Sequence, residues 1–317
     1  MYSKQLMVRV AELYYMQKLN QTEIAQIVGA SRPSVSRILE EARATGIVQI
    51  SIQAPVEKNL ALSEKLRESF GLRDAIVVLQ GEDYNISQST VGKAAAEYAA
   101  SLLKSNTKIG ISWGTNVRQF TAHFPENLRF PDSKVIQLHG SLGGTAPELD
   151  GYSFVWELSR KIGGEPAVLS APGYVSSAAF QEELCSLHQI DSVLKMGESV
   201  DIAVNGLGSI SLERNSLVNT GYLKAAQIPE IAKKGAIGQL LGRLYDIEGK
   251  EIQWEHLFPI STSLESLKQT PFSMGLAVSK ARTEAAYGAL MAHYVNVLFC
   301  DEELATSLLQ LKKKREG

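Results

Sequence analysis

The chain has 317 residues, 44% hydrophobic and 21% charged, and its 32 Lys and Arg nearly balance 34 Asp and Glu for a net charge of −2. That length favours two domains over one small module, and the apolar content excludes wholesale disorder. Scattered Gly and Pro exclude a repeat fibre, no apolar run approaches the ~20 residues of a membrane helix, and two distant cysteines outside any CxxC suit neither a disulfide framework nor a zinc site. Charges interrupt the apolar N-terminal stretch, so it does not read as a signal peptide, and the expected protein is cytoplasmic, with no metal or cofactor.

Charge is unevenly spread. Residues 1–52 carry six basic and four acidic groups, so a small basic head precedes a mildly acidic body. In the head, Leu6, Val10, Leu13 and Tyr14 recur at helical spacing and predict a helix ending near Leu19 and Asn20. A second helix is expected over 21–28, a tight turn at Gly29, and a third helix over 32–45 with Ser31 as its cap and Pro33 in its first turn. Ala25, Gly29, Val35 and Ile38 stand where two steeply crossed helices need small, permissive and branched residues, which is the spacing of a helix-turn-helix. The face of the third helix then points to DNA. Arg32 and Arg37 suit guanine edges, while Thr22, Ser31, Ser34 and Ser36 suit the backbone. Residues 47–52 alternate and read as a strand behind the reading helix. Gln53-Ala54-Pro55 breaks the pattern, dividing a DNA-binding domain at 1–54 from an effector-binding and oligomerisation domain at 55–317.

The body begins with a helix expected over 57–70, with Leu62, Leu66 and Phe70 in a stripe ending at Gly71. Strands are then expected at 75–79, 108–112, 134–138, 166–170 and 200–204, alternating with helices at 87–103, 115–123, 152–162 and 176–188. The chain closes on a strand at 272–278, a helix at 279–294, a strand at 295–300 and a helix at 302–309, and the basic tail 312–315 reads as a solvated end. This alternation predicts an α/β domain with a mostly parallel sheet covered on both faces.

Ligands of such sheets bind beyond the carboxyl ends of the strands. Three expected strands end in turns able to present bare backbone N–H groups to an anion: Ser112-Trp113-Gly114-Thr115-Asn116, Gly140-Ser141-Leu142-Gly143-Gly144-Thr145, and Asn205-Gly206-Leu207-Gly208-Ser209. Their convergence points to a phosphate or polar-sugar site. Neither GxxxxGK[ST] nor GxGxxG follows a strand, so nucleotide hydrolysis and dinucleotide binding are not expected.

These residues resemble a known family. The runs Gln21–Ala25 and Ser31–Leu39 are similar to the reading head of the SorC/DeoR-type sugar-responsive bacterial regulators. Ile109–Thr115, Gln137–Gly144, Leu169–Pro172, Asp201–Ser209, Gly235–Gly238, Tyr245-Asp246 before Gly249, Lys280 and Asn296–Asp301 resemble their effector domain, in order and over nearly the whole chain. The resemblance implies a C-terminal domain folded like ribose phosphate isomerase and glucosamine phosphate deaminase. It also implies that this domain binds a phosphorylated sugar or polyol, and that an oligomer, a tetramer built as a dimer of dimers, carries the heads to operator DNA. Carried over by position, it puts the phosphate on Ser112, Gly114, Thr115 and Asn116 and on Gly140, Ser141, Gly143 and Gly144, with Lys280 as the cationic partner. Gln239 stands where the family commonly has an acidic residue for a sugar hydroxyl, pointing to a different hydroxyl pattern. Leu276 and Ala277 replace a glycine pair, pointing to a narrower pocket.

The alternative is a sugar-phosphate isomerase or deaminase with an accessory DNA head. The deaminase pattern Gly-x-Gly-x-Asp-Gly-His finds Gly206-Leu207-Gly208-Ser209-Ile210-Ser211 here, without the acid or the imidazole, so no catalytic residue is expected. His139 is open to either reading, as a ligand contact or as a structural histidine.

Overall fold

The computed structural model describes residues 2–48, 56–143, 147–211, 215–255 and 257–317. The chain falls into two compact units, Met1–Pro55 and Val56–Gly317.

The first unit holds α1 (Lys4–Ala11), continued by a π-helical turn at Glu12–Met16, then α2 (Gln21–Val28) and α3 (Arg32–Ala44). Asn20 and Glu23 form a reciprocal cap on α2, and Gly29 ends that helix in the left-handed conformation at φ 66°. The Ser31 hydroxyl caps α3 by accepting from Ser34 N at 3.3 Å. Val10, Leu13, Ile24, Val35, Ile38 and Leu39 form its core. Of the strand expected at 47–52, residues 49–52 lie outside the described residues, and Ile47 and Val48 are not in a strand.

The second unit opens with α4 (Leu60–Phe70), β1 (Asp74–Val78), α5 (Tyr84–Leu102), β2 (Lys108–Ile111), α6 (Thr115–His123), β3 (Lys134–Gln137), α7 (Gly151–Ile162) and β4 (Glu165–Ala167). It continues through β5 (Tyr174–Val175), α8 (Ala178–Ser186), α9 (His188–Gly197), β6 (Ile202–Gly206), β7 (Gly208–Ser209), α10 (Ser216–Asn219) and α11 (Ile228–Lys233). Then come β8 (Gly238–Leu240), β9 (Arg243–Tyr245), β10 (Glu251–Ile252), β11 (Phe258–Pro259), α12 (Leu264–Gln269) and β12 (Phe272–Leu276). Last are α13 (Thr283–Met291), β13 (Val297–Asp301) and α14 (Glu302–Glu316).

Seven strands form one sheet in the order β1-β13-β12-β6-β2-β3-β4, and every pairing in it is parallel. Helices α5, α6 and α7 pack on one face through Val91, Val117, Phe120, Phe154 and Leu158. Helices α4, α9, α12, α13 and α14 pack on the other through Leu66, Ile190, Leu264, Leu290 and Leu304. Strands buried on both faces are largely apolar, with polar residues mostly at their ends, which is why they stand out in the sequence. The chain winds from β2 outward to β4, then returns to lay β6 beside β2 and winds the other way through β12 to β13. A crevice opens at such a reversal, at the carboxyl ends of the strands.

Several expectations are corrected. Residues 57–59 are not helical; Lys58 bridges Val78 antiparallel and Asn59 caps α4, because backbone groups at the edge of β1 take up this segment. The helix expected at 279–294 is a 3-10 turn, Lys280–Arg282, followed by α13; Ser279 at φ 74° caps the turn, and Arg282 at φ −100° and ψ 3° divides it from α13. The basic tail is the last turn of α14; Lys313, Lys314 and Arg315 are exposed as expected, Arg315 pairing with Glu248 at 2.8 Å, and Lys312 departs from the expectation, its Nζ donating to Ser69 O and lying 4.8 Å over the Phe70 ring. The small antiparallel sheet β10-β9-β8-β7 was not expected at all.

Candidate functional site

In the N-terminal unit, Thr22, Arg32 and Arg37 are exposed, and Ser34 and Ser36 half-buried, along α2 and α3. Ser31 is exposed, but its hydroxyl caps α3 and lies 2.8 Å from that of Ser34. Two guanidinium groups therefore stand beside a helix N-terminus, a combination suited to phosphate and base edges.

In the C-terminal unit, a cavity of about 290 Å³ opens at the carboxyl ends of β2, β6 and β12, at the reversal of the winding. Trp113, Gly114, Thr115 and Asn116 line it from the β2–α6 turn, and Gly206, Leu207 and Gly208 from the end of β6. Tyr84, Asn85 and Gln88 reach it from the first turns of α5, Ser216 and Asn219 from α10, Gln239 from β8 and Arg282 from the turn after β12. Gly114 is the N-cap of the nine-residue α6 at φ 106° and ψ 173°, a conformation open only to glycine, and no side chain caps the helix. The first N–H groups of α6 thus face the cavity with the positive end of the helix dipole behind them. Gln88 Nε2 donates to Thr115 Oγ1 at 2.9 Å and to Asn116 Oδ1 at 2.8 Å, while Asn116 Nδ2 donates to Leu276 O at 2.9 Å. Gln239 is 6% exposed and donates weakly to Ser216 Oγ at 3.4 Å.

Of the residues expected to hold an anion, Gly114, Thr115, Asn116 and Gln239 come together here. Ser112 is buried outside the lining, its N–H continuing the sheet to Val204 O at 3.1 Å. Among its described residues, the turn after β3 lies outside the lining, and its amides are already committed. Gly140 N donates to Ile260 O and Ser141 N to Ala171 O, both at 2.8 Å, Leu142 N to Asp150 Oδ2 at 3.1 Å, and Gly143 N to Ser141 Oγ at 3.2 Å. Gly140 itself is pressed on Pro172, whose carbonyl oxygen would lie 2.3 Å from an added Cβ. Gly144 lies outside the described residues.

Lys280 also lies outside the lining: its side chain is 73% exposed and Nζ lies 3.6 Å from Glu303 Oε1. Arg282, two residues later and 9% exposed, is the cation of the lining. Nothing in sequence spacing separates these two, since a turn sends them to different sides. Gln88 and Tyr84 were missed because they arrive from a helix about thirty residues before the β2 turn, and only the packing of α5 on α6 brings them there.

His139 lies outside the cavity lining, and its Nε2 has no hydrogen-bond partner among the described residues. It is 1% exposed, its ring lies 5.6 Å from Trp113 and 5.1 Å from Tyr174, and Nδ1 donates to Gly140 O at 2.8 Å. Burial in this aromatic packing pushes its pKa down to about 4, so the ring is neutral at pH 7.

A family model described as "Putative sugar-binding domain" matches residues 54–310. Over 311 residues the chain is 26% identical to the sorbitol operon regulator of Klebsiella pneumoniae, covering 96% of this chain and 98% of that protein. It is 28% identical over 309 residues to the deoxyribonucleoside regulator of Bacillus subtilis (strain 168), covering 96% and 97% respectively. The crystal structure of the full-length sorbitol operon regulator SorC from Klebsiella pneumoniae matches with a TM-score of 0.74 at 24% identity, over 98% of this chain and 99% of that one, a likeness of fold. A match that spans most of the chain, on the unit that carries the cavity, decides the matter: the chain belongs to the sugar-binding domain family, with SorC-type transcriptional regulators among its relatives.

Proposed function

We propose that the chain is a transcriptional regulator of a carbohydrate-utilisation operon. Its N-terminal domain binds operator DNA, and its C-terminal domain binds a phosphorylated sugar or polyol without covalent chemistry. The observation that carries the effector reading is the cavity at the winding reversal, where the uncapped N-terminus of α6 and Arg282 meet a lining rich in carboxamides. Helix N–H groups and a guanidinium suit a phosphate. Asn85, Asn219 and Gln239 offer paired donors and acceptors to hydroxyl groups. Arg282 takes the cationic role expected of Lys280.

The isomerase or deaminase alternative calls for a base at the sugar carbon. Among the described lining residues, hydroxyls, carboxamides and a guanidinium stand where a carboxylate or imidazole is required. A likeness to the isomerase and deaminase fold, which the motifs lead one to expect, would not by itself carry their reaction. The regulator acts in the cytoplasm as a tetramer, a dimer of dimers, with pairs of third helices reading successive major grooves of operator DNA.

Calorimetric titration of the full chain with a panel of sugar phosphates and their unphosphorylated parents tests the effector half. One phosphorylated member is expected to bind and its parent to bind at least about 10-fold more weakly. Arg282→Ala is expected to cost that ligand about 10- to 100-fold and Lys280→Ala less than about threefold. Equal binding of ester and parent, or a larger loss in Lys280→Ala than in Arg282→Ala, would contradict the assignment.

A further inference from the structure

We infer that Gln88 is a positioning residue that sets the hydrogen-bond polarity of the anion site; this rests on the anion-binding reading of the cavity. The argument starts from a group whose polarity is not adjustable. The Leu276 carbonyl at the end of β12 can only accept, so the group 2.9 Å from it on Asn116 is the NH₂, and Asn116 Oδ1 is left as an acceptor. The Gln88 atom 2.8 Å from Asn116 Oδ1 must then be its own NH₂. That nitrogen also lies 2.9 Å from Thr115 Oγ1 and 3.3 Å from the Tyr84 hydroxyl; an amide NH₂ has two protons to donate and accepts none, and the second goes to the nearer oxygen. The Thr115 hydroxyl is therefore an acceptor towards Gln88 and turns its own proton elsewhere. Thr115 is exposed on the cavity wall as the first residue of α6, so its O–H joins the helix N–H groups and Arg282 as a donor.

The result is a site made of donors, with polarity relayed from a strand carbonyl through two carboxamides to one hydroxyl. Gln88 and Asn116 are 6% and 8% exposed, so each is held in place before any ligand arrives. The class of ligand this favours is a fully ionised oxyanion, which has only acceptors to offer.

Gln88→Glu keeps shape and reverses polarity: a carboxylate accepts from the Thr115 hydroxyl and turns lone pairs to the cavity. Gln88→Met keeps bulk and leaves the hydroxyl free to rotate. The test is calorimetric titration of the full chain and both variants with sulfate and with inorganic phosphate at about pH 6, where phosphate still carries P–OH protons and sulfate has none. The wild type is expected to bind sulfate, which offers only acceptors, at least about threefold more tightly than phosphate. Gln88→Met, which adds no charge, is expected to weaken sulfate roughly fivefold and phosphate less, because the freed hydroxyl can accept from a P–OH. Gln88→Glu is expected to lose sulfate by about 10- to 100-fold more than phosphate, because a protonated phosphate can donate to the reversed hydroxyl. Equal losses of the two anions in Gln88→Met would overturn the inference; Gln88→Glu alone does not decide it, because its added charge repels dianionic sulfate more than the mostly monoanionic phosphate. Wild-type affinity in both variants would overturn it too, while leaving the anion reading standing. A wild type that binds neither anion would overturn the anion reading, and this inference with it.

Discussion

At the scale of single residues, the cavity owes its character to a few groups with little freedom. Gly114 holds a backbone no side-chain-bearing residue adopts readily, and that bend aims the start of α6 at the space where β2, β6 and β12 end. Behind the Trp113 wall, His139 is kept neutral by burial, and this has a consequence for stability. Its folded pKa of about 4 lies below the ordinary 6.5, so between these values the unfolded chain binds the extra proton. Stability from this residue is complete above about pH 6.5 and is lost as pH falls towards 4, to a total of about 3 kcal/mol. Asp301, whose carboxyl burial pushes up, contributes a slope of opposite sign. The clean readout is therefore the difference between wild type and His139→Gln in urea unfolding at several pH values. The variant is expected to be less stable at pH 7 and to lose less on acidification. Parallel pH profiles would show that His139 titrates normally.

At the scale of elements, legibility followed burial. The core strands of the large sheet are continuous apolar runs, and Ile109–Ile111 or Val297–Cys300 announce themselves without help from neighbours. The strands β7 to β10 have two or three residues each, too few for any periodicity, and exist because β6 and its continuation need a cover at the pocket end. Gln239 was nonetheless singled out, by its place after Gly235-Ala236-Ile237-Gly238, while the strand that carries it was not. The glycine turn after β3 shows the converse. Its composition matches an anion cradle, yet Ile260, Ala171 and Asp150 take its amides, and those partners lie in segments no local pattern connects to it. In the N-terminal unit the local signals located α2 and α3, because caps act within four residues, but they misplaced the end of the first helix, which stops at Met16, and put a strand at Ile47 and Val48 where there is none. Ser31→Ala removes the acceptor for Ser34 N and is expected to cost that unit about 1 kcal/mol, lowering its melting temperature while effector affinity in the other unit stays unchanged. An unchanged melting temperature would mean that Pro33 and the packing of Val35 and Ile38 hold the helix start unaided.

At the scale of the whole molecule, a chain with two compact units joins a basic helical head to a sheet that holds a polar cavity. A cavity of about 290 Å³ suits one small polyhydroxylated anion and leaves little room beyond it. In the proposed regulator, a ligand changes DNA affinity only so far as it prefers one conformational state over another, and the two affinities are then linked by the same factor. Arg32→Ala and Arg37→Ala are each expected to weaken operator binding by about 1–3 kcal/mol while leaving effector affinity intact. Wild-type operator affinity in the double variant would remove α3 as the reading helix.

The most direct test is fluorescence anisotropy of labelled DNA from upstream of the protein's own gene, titrated at fixed and stated salt with and without each member of a sugar-phosphate panel. Salt must be held, since phosphate contacts alone move such affinities by orders of magnitude. The expected result is binding tighter than to a random duplex, shifted by one sugar phosphate, not shifted by its unphosphorylated parent, and insensitive to that ligand in Arg282→Ala. Binding no tighter than to random DNA, or operator binding that no phosphorylated ligand moves, would contradict a sugar-phosphate-responsive regulator.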